Sequence, residues 1–361
     1  MVTPTPSQIT ALLGRLVDPY LAKDLVSAKL IQEIAVQDKT IEIRLLYPYP
    51  IDRLKSEIKQ RISKAMQADW PDFTLNIHLS WKVRRHKVQN DLKTKSVIKN
   101  IIAVASGKGG VGKSTVAVNL ALALHGMGAK VALLDADIYG PSQPLMLGKA
   151  NEHAIAHEKK FIPVQSHGIE SISIGYLVTD QSPMIWRGPM VSSALVQLLN
   201  ETAWREADYL IIDLPPGTGD IQLTMAQKIP ISGAVVVTTP QDVSLLDANK
   251  ACKMFEKVGV PVLGIVENMS WHQCQQCAHK EFIFGEDGGM KMAAQFGLPL
   301  LAQLPLHAQV RETCDNGTPV VVSSTMNELA QPYWEMAHRV AAQLGLRQVD
   351  YTAAIPVVVQ A

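Results

Sequence analysis

Gly107-Lys108-Gly109-Gly110-Val111-Gly112-Lys113-Ser114-Thr115 is the stretch whose residue types and spacing point most directly to chemistry. Glycines let a backbone curl until successive N–H groups face one anion, and a helix that follows adds the positive end of its dipole. Lys113, next to the last glycine, supplies a compact charge for β- and γ-phosphates; Ser114 offers a hydroxyl to Mg²⁺, and Thr115 a donor for the α-phosphate. The stretch therefore predicts a site for Mg-ATP. Lys108 is surplus to that cradle. A cation delivered to another subunit neutralises charge on the transferred phosphoryl group, an effect worth roughly 10³ to 10⁵ in rate when arginine does it, so dimerisation is expected to gate hydrolysis through Lys108.

Such a loop works only between a strand and a helix. The apolar run Ile101–Ala105 precedes it and a helical pattern, Thr115–Leu124, follows. Further apolar runs at Val131–Leu134, Tyr209–Ile212, Ala234–Thr238, Val262–Val266 and Leu300–Leu304 alternate with helical segments. Near-continuous apolar strands separated by helices belong in a parallel sheet covered on both faces, which predicts an α/β, doubly wound, mostly parallel P-loop domain. Ligands then sit at the strands' carboxyl ends. Asp135 and Asp137 end one strand and Asp213 ends another, so these carboxylates converge on the phosphate loop, Asp213 where a carboxylate for Mg²⁺ or for orienting water belongs.

A second group of residues could hold metal. Cys274 and Cys277 follow the Val262–Val266 run in a polar stretch flanked by His272 and His279. Two thiolates per chain cannot complete a four-thiolate site, but two chains about a two-fold axis can, which suits a [4Fe–4S] cluster at a homodimer interface. Zinc held by both cysteines and both histidines of one chain is the main alternative, although the histidines are poorly spaced to close a tetrahedron. A redox disulfide is a third reading. Cys252 and Cys314 have no neighbours at ligand spacing and read as structural, Cys314 within a loop.

The bulk composition bounds these readings. With 361 residues, two domains are expected. A net charge of +1 implies no obligatory nucleic-acid partner, and four cysteines are too sparse for a disulfide scaffold, which suits a reducing, cytoplasmic location. No apolar stretch approaches the length of a membrane span. Before the phosphate-loop domain, helices near Ser7–Val17 and Ile51–Met66 and strands near Leu30–Val36, Thr40–Leu46 and Phe73–Ser80 predict a small α+β domain. The expected organisation is a small domain at 1–81, a solvated basic linker at 82–99 carrying Arg84, Arg85, Lys87, Lys93 and Lys95, a P-loop domain at 100–346 and a C-terminal tail at 347–361.

Lys108 inside the loop is the signature of the deviant P-loop ATPases. Asp135-Ala-Asp-Ile-Tyr-Gly-Pro-Ser142, Trp186-Arg-Gly-Pro-Met190, Asp213-Leu-Pro-Pro-Gly-Thr-Gly-Asp220 and Asn268-Met-Ser270 ahead of the thiol pair resemble the Mrp/ApbC iron–sulfur cluster carrier ATPases, over residues 100 to 345. Val17-Asp-Pro-Tyr-Leu-Ala-Lys-Asp-Leu-Val-Ser27 resembles the small domain that this group shares with other iron–sulfur assembly factors. The resemblance implies an ATPase that receives a cluster from assembly machinery and delivers it to apo iron–sulfur proteins. It also implies that Asp137 positions the attacking water, Asp213 supports Mg²⁺ and Asn268 contacts adenine; Arg187 stays without a role. Two departures stand out. Many relatives carry Cys-Pro-His-Cys-Gly where this chain has Cys274-Gln-Gln-Cys277-Ala, and a cysteine often found in the small domain is replaced by Tyr47 or Tyr49 around Pro48. The competing functions are a positioning ATPase acting on membrane or DNA, which the mixed charges of Met326–Leu344 disfavour, and an electron-transferring reductase, whose ligands are distant single cysteines. A zinc-stabilised regulatory ATPase is the other.

Overall fold

The computed structural model describes residues 3–89, 92, 97–158, 160–177, 188–274, 276–324 and 327–350. Lys93, Lys95, Trp186, Arg187 and the last eleven residues lie outside this set. The small domain is a helix, α1 (Pro6–Leu13), two strands, β1 (Ile31–Gln37) and β2 (Thr40–Tyr47), a second helix, α2 (Lys55–Asp69), and β3 (Thr74–Trp81). Its sheet runs β1-β2-β3, antiparallel then parallel. Thr5 and Gln8 close a capping box on α1, and the helix stops at Gly14, three residues short of the expected Val17.

The larger unit is an α/β sandwich built on one sheet. Its elements are β4 (Ile98–Ser106), α3 (Lys113–Gly126), β5 (Val131–Asp135), α4 (Gln143–Met146), β6 (Val164–Ser166), β7 (Ile169–Ser173), α5 (Gly188–Glu201), β8 (Ala207–Asp213), α6 (Asp220–Lys228), β9 (Gly233–Thr238), α7 (Asp242–Lys257), β10 (Val262–Gln273), β11 (Lys280–Glu281), α8 (Gly288–Phe296), β12 (Leu300–Pro305), α9 (Ala308–Asp315) and α10 (Asn327–Gly345). Among the described residues the strand order is β6-β7-β5-β8-β4-β9-β10-β11, with β12 also on β10. Every pair is parallel except the edges β6–β7 and β10–β11. Helices cover both faces, as the all-apolar strands require: α3 and α10 on one, α5, α6, α7 and α8 on the other. Helix α3 is buried on nearly every side, from Val116 to Leu124 without a break; Leu120→Ala there removes packing worth about 2–5 kcal/mol. No described helix is long and apolar enough to cross a membrane.

The described residues 82–89 depart from the expected solvated connector. Val83, His86 and Gln89 are buried. The His86 backbone N–H donates to Asn100 Oδ1 at 3.0 Å, and Gln89 Nε2 donates to the Ala226 and Ile229 carbonyls at 2.7 and 2.6 Å. Polar composition misleads here because the His86 backbone and the Gln89 amide nitrogen find partners on the sheet and at a helix end, although Gln89 Oε1 has none. The small domain also rests on the larger one through α10. The Arg53 guanidinium lies 3.9 Å over the Trp334 ring, the Tyr20 ring 4.9 Å from His338, and residues of α1, α2, α3 and α10 share one apolar cluster. Burial against these rings pushes the His338 imidazole down to about 4. Cys314, expected in a loop, closes α9 and is buried.

Candidate functional site

At the carboxyl end of the sheet, β4 passes into Gly107–Gly112 and then into α3, the strand-loop-helix order that the residue pattern demands. Two glycines are sterically required. A Cβ on Gly107 would lie 2.1 Å from the Asp247 backbone, and Gly112, at φ +79°, would place one 2.2 Å from Asn268 Nδ2. Ser106 Oγ donates to the Lys108 carbonyl at 2.8 Å, and Asn268 Nδ2 donates to the Val111 carbonyl at 2.9 Å. The loop is thus held by its neighbours while Gly109 and Gly110 stay exposed. It borders a cleft of about 280 Å³ that Ser114, Thr115, Asp137 and Pro216 also line.

Three carboxylates meet this loop. Asp213 and Asp135 are direct partners in the β8–β5 register, so both side chains leave adjacent strands side by side, fully buried. Lys113 Nζ donates to Asp213 Oδ1, lies 3.3 Å from Ser114 Oγ and 3.9 Å from Asp137 Oδ2. One cation among three acids is short of neutral. Burial first, and Asp213 second, push the Asp135 carboxyl up to about 7. Burial also raises Asp137, opposed by the Lys113 charge. Asp135 meanwhile accepts from the backbone N–H groups of Asp137, Ser142 and Gln143 at 3.1–3.2 Å and from Ser173 Oγ at 3.0 Å. The loop that carries Asp137 is therefore strung around a buried carboxyl group. No carboxylate pairs with Lys108 among the described residues, and burial is only partial there.

The thiols lie at a hairpin tip. Strand β10 continues past the phosphate loop, pairs with β11 through His272–Glu281 and Gln273–Lys280, and closes with Cys274 N donating to the His279 carbonyl at 2.9 Å. Ala278, at φ +57°, completes the turn, and its N–H donates to the Cys274 carbonyl at 2.9 Å. Cys277 is exposed and Cys274 half-buried. Backbone N–H groups of Cys277 and Gln276, and the Cys277 thiol itself, hold the Cys274 thiol below its usual range. His272 Nδ1 sits 3.1 Å from the Leu306 carbonyl, away from the pair, and no third His, Cys, Asp or Glu joins the thiols at metal-binding distance among the described residues. The other two cysteines contrast with these, since burial pushes Cys252 up to about 12 and Cys314 up to about 11.

The family description "NUBPL iron-transfer P-loop NTPase" matches residues 97–341, and "Iron-sulfur cluster assembly protein" matches residues 6–74. The chain belongs to the iron-transfer P-loop NTPase family. Within that family it is 49% identical to the iron-sulfur cluster carrier protein of Escherichia coli K12, over 94% of this chain and 92% of that one. It is 49% identical to the iron-sulfur cluster transfer protein NUBPL of Mus musculus, over 68% of this chain and 78% of that one. Among solved structures, a nucleotide-binding protein from Archaeoglobus fulgidus in complex with ADP superposes with a TM-score of 0.55 at 37% identity, covering 61% of this chain and 87% of that one. A cell-division ATPase of Pyrococcus furiosus shares the fold at a TM-score of 0.50, over 67% and 98% of the two chains.

The structure gathers Asp135, Asp137 and Asp213 around the Gly107–Thr115 loop, Asp137 in the cleft and the other two buried behind it, and sets Cys274 and Cys277 apart on their hairpin. Asn268, expected at the adenine, donates its amide to the loop carbonyl of Val111. Two residues had no motif to announce them. Gln143 Nε2 donates to Asp213 Oδ2 at 2.8 Å and to the Ser114 carbonyl at 3.1 Å. Glu267, fully buried, accepts from Gly289 N, from Ser270 Oγ at 2.5 Å and from Gln303 Nε2 at 2.9 Å, which ties β10 to α8. Its position directly after the Val262–Val266 run, at a strand's carboxyl end, was the available signal.

Proposed function

We propose that this chain is an ATP-hydrolysing carrier that holds a [4Fe–4S] cluster between two copies of itself and passes it to apo iron–sulfur proteins after loading by assembly machinery. The observation that carries the reading is the exposed Cys274–Cys277 hairpin on the same strand whose Asn268 grips the phosphate loop. A pair of thiols with no third ligand of its own suits a site that a second copy completes. Val243 and Leu246 on α7 and Tyr139 beside Asp137 leave large apolar side chains in solvent, which suits burial against a second copy. Unpaired cysteines suit a reducing cytoplasm.

Within the cleft, the backbone N–H groups of Gly107–Gly112 and the start of α3 hold the phosphates, Lys113 moves its charge from Asp213 to the β- and γ-oxygens, and Thr115 takes the α-phosphate. Asp137 orients the water that attacks the γ-phosphorus as the bond to the β,γ-bridging oxygen breaks. Lys108 reaches the partner copy's phosphates. Ser114 Oγ and Asp213, both reached by Lys113 Nζ, are an all-oxygen donor set that fits Mg²⁺. Magnesium bound there neutralises phosphate charge. The segments 1–81 and 100–346 are assigned to delivery and to nucleotide binding. Asn268 is assigned to supporting the loop, and Met269, at φ +54° with register shifts around it, marks where β10 bends between the two sites.

Anaerobic reconstitution with iron and sulfide tests the reading. The expected result is about four irons per two chains with the absorbance of a [4Fe–4S] cluster. Tight stoichiometric zinc with no retained iron overturns it.

A further inference from the structure

Gln143 opens α4 behind the Asp137 loop, with 1% of its surface exposed. Its backbone N–H donates to Asp135 Oδ2 at 3.1 Å, and its side-chain Nε2 to Asp213 Oδ2 at 2.8 Å and to the Ser114 carbonyl at 3.1 Å. One residue therefore touches the carboxyl ends of β5 and β8 and the first turn of the phosphate-loop helix. The two side-chain partners are both pure acceptors, which fixes the amide: turning it over would press its oxygen against a carboxylate and a carbonyl. Oε1 is in consequence held on the opposite side, buried and without a donor, as is the hydroxyl of the preceding Ser142. Buried acceptors are normally satisfied, and three carboxylates and a half-satisfied amide around one lysine make a site that lacks cations and donors together.

Resting on the Mg-ATP reading of Gly107–Thr115, we propose that Gln143 is a positioning residue for the magnesium nucleotide. Nε2 keeps the Asp213 carboxylate in register with the Ser114 end of the phosphate-loop helix. Gln143 then links metal occupancy to the loop carrying Asp137, because its own backbone is tied to Asp135.

The test is titration of the full chain with a fluorescent ATP analogue, once in excess Mg²⁺ and once in EDTA, for the parent, Gln143→Leu and Gln143→Met. Both substitutions keep the volume and remove donor and acceptor. Each is expected to cut the Mg²⁺-dependent gain in affinity about tenfold, the loss of one hydrogen bond in charged surroundings, and to leave affinity in EDTA within about twofold. Two variants guard against one that fails to fold. Equal losses with and without Mg²⁺, or no loss in either folded variant, overturn the assignment while the nucleotide site stands; a parent that binds no ATP overturns both.

Discussion

The phosphate loop and the thiol hairpin are joined by one strand but are built on opposite principles. Around the loop, residues from β4, β5, β8 and β10 converge, Asp213 is fully buried, and the carboxylates are held by backbone N–H groups and one lysine. The hairpin takes both of its thiols from one turn closed by local backbone bonds, Cys277 exposed and Cys274 half-buried. A charge cluster pre-built in low dielectric can bind and orient phosphates with little change beyond the shift of its lysine. An exposed turn can give up a cluster. The difference teaches that the first site depends on the whole sheet, whereas the second depends on two side chains of one turn, which a second copy would complete under the proposed function.

Lys113→Ala should break the first region most severely. It removes the cation from among three carboxylates and leaves Asp213 buried and unpaired, a loss of the kind that costs about 3–5 kcal/mol. Nucleotide binding by calorimetry should vanish and thermal stability should fall. A variant that still binds ATP tightly breaks the comparison, because the cluster would then not depend on its lysine.

Either Cys274→Ala or Cys277→Ala should abolish iron retention and leave ATP affinity unchanged, while Cys252→Ala and Cys314→Ala keep the iron. Iron analysis after desalting, run beside a nucleotide titration, reads both halves at once. Loss of ATP binding in the Cys277→Ala chain would show that the hairpin is not the local structure described.

For Lys108→Ala, the expected pattern is a split: hydrolysis slower by about 10³, the scale of a charge supplied in trans, with affinity for ATP changed only a few-fold. Phosphate release measured over a range of protein concentrations gives both the rate and its dependence on dimerisation. Parental turnover removes Lys108 from the chemistry.

Asn268→Ala tests the connection between the regions. Deleting its bond to Val111 costs about 1 kcal/mol and should leave both sites occupied, but make cluster transfer to an apoprotein insensitive to nucleotide. Transfer followed by absorbance with and without ATP decides it; an undiminished nucleotide effect means that coupling runs elsewhere.

The smallest effect is one of reactivity. Neighbouring N–H groups favour the Cys274 thiolate, whereas burial opposes ionisation of Cys252 and Cys314. As pH is lowered, alkylation of Cys274 in the iron-free chain should persist below the pH at which an ordinary thiol slows, with the other two unmodified throughout. Mass spectrometry of labelled peptides would show the order, and prior modification of Cys252 would reverse it.

Much of this was legible in the residues themselves. Gly107–Thr115 announces a phosphate loop because that order of glycines, lysine and hydroxyls curls a backbone around an anion, and runs such as Tyr209–Ile212 announce buried parallel strands because they are apolar on both faces and too short for a buried helix. Cys274 and Cys277 declare themselves by spacing alone. The sequence does not contain distances between strands, and those decided the rest. Burial first, and then the register that makes Asp213 its neighbour, lift the Asp135 carboxyl; Gln143, unremarkable between Ser142 and Pro144, becomes a partner of Asp213 only when α4 folds behind it; and Asn268 meets Val111 because β9, between β4 and β10, sets their separation. The buried His86 and Gln89 tell the same story for a segment that looked solvated, since a polar side chain is buried wherever the fold offers it a partner, and partners are a property of three dimensions.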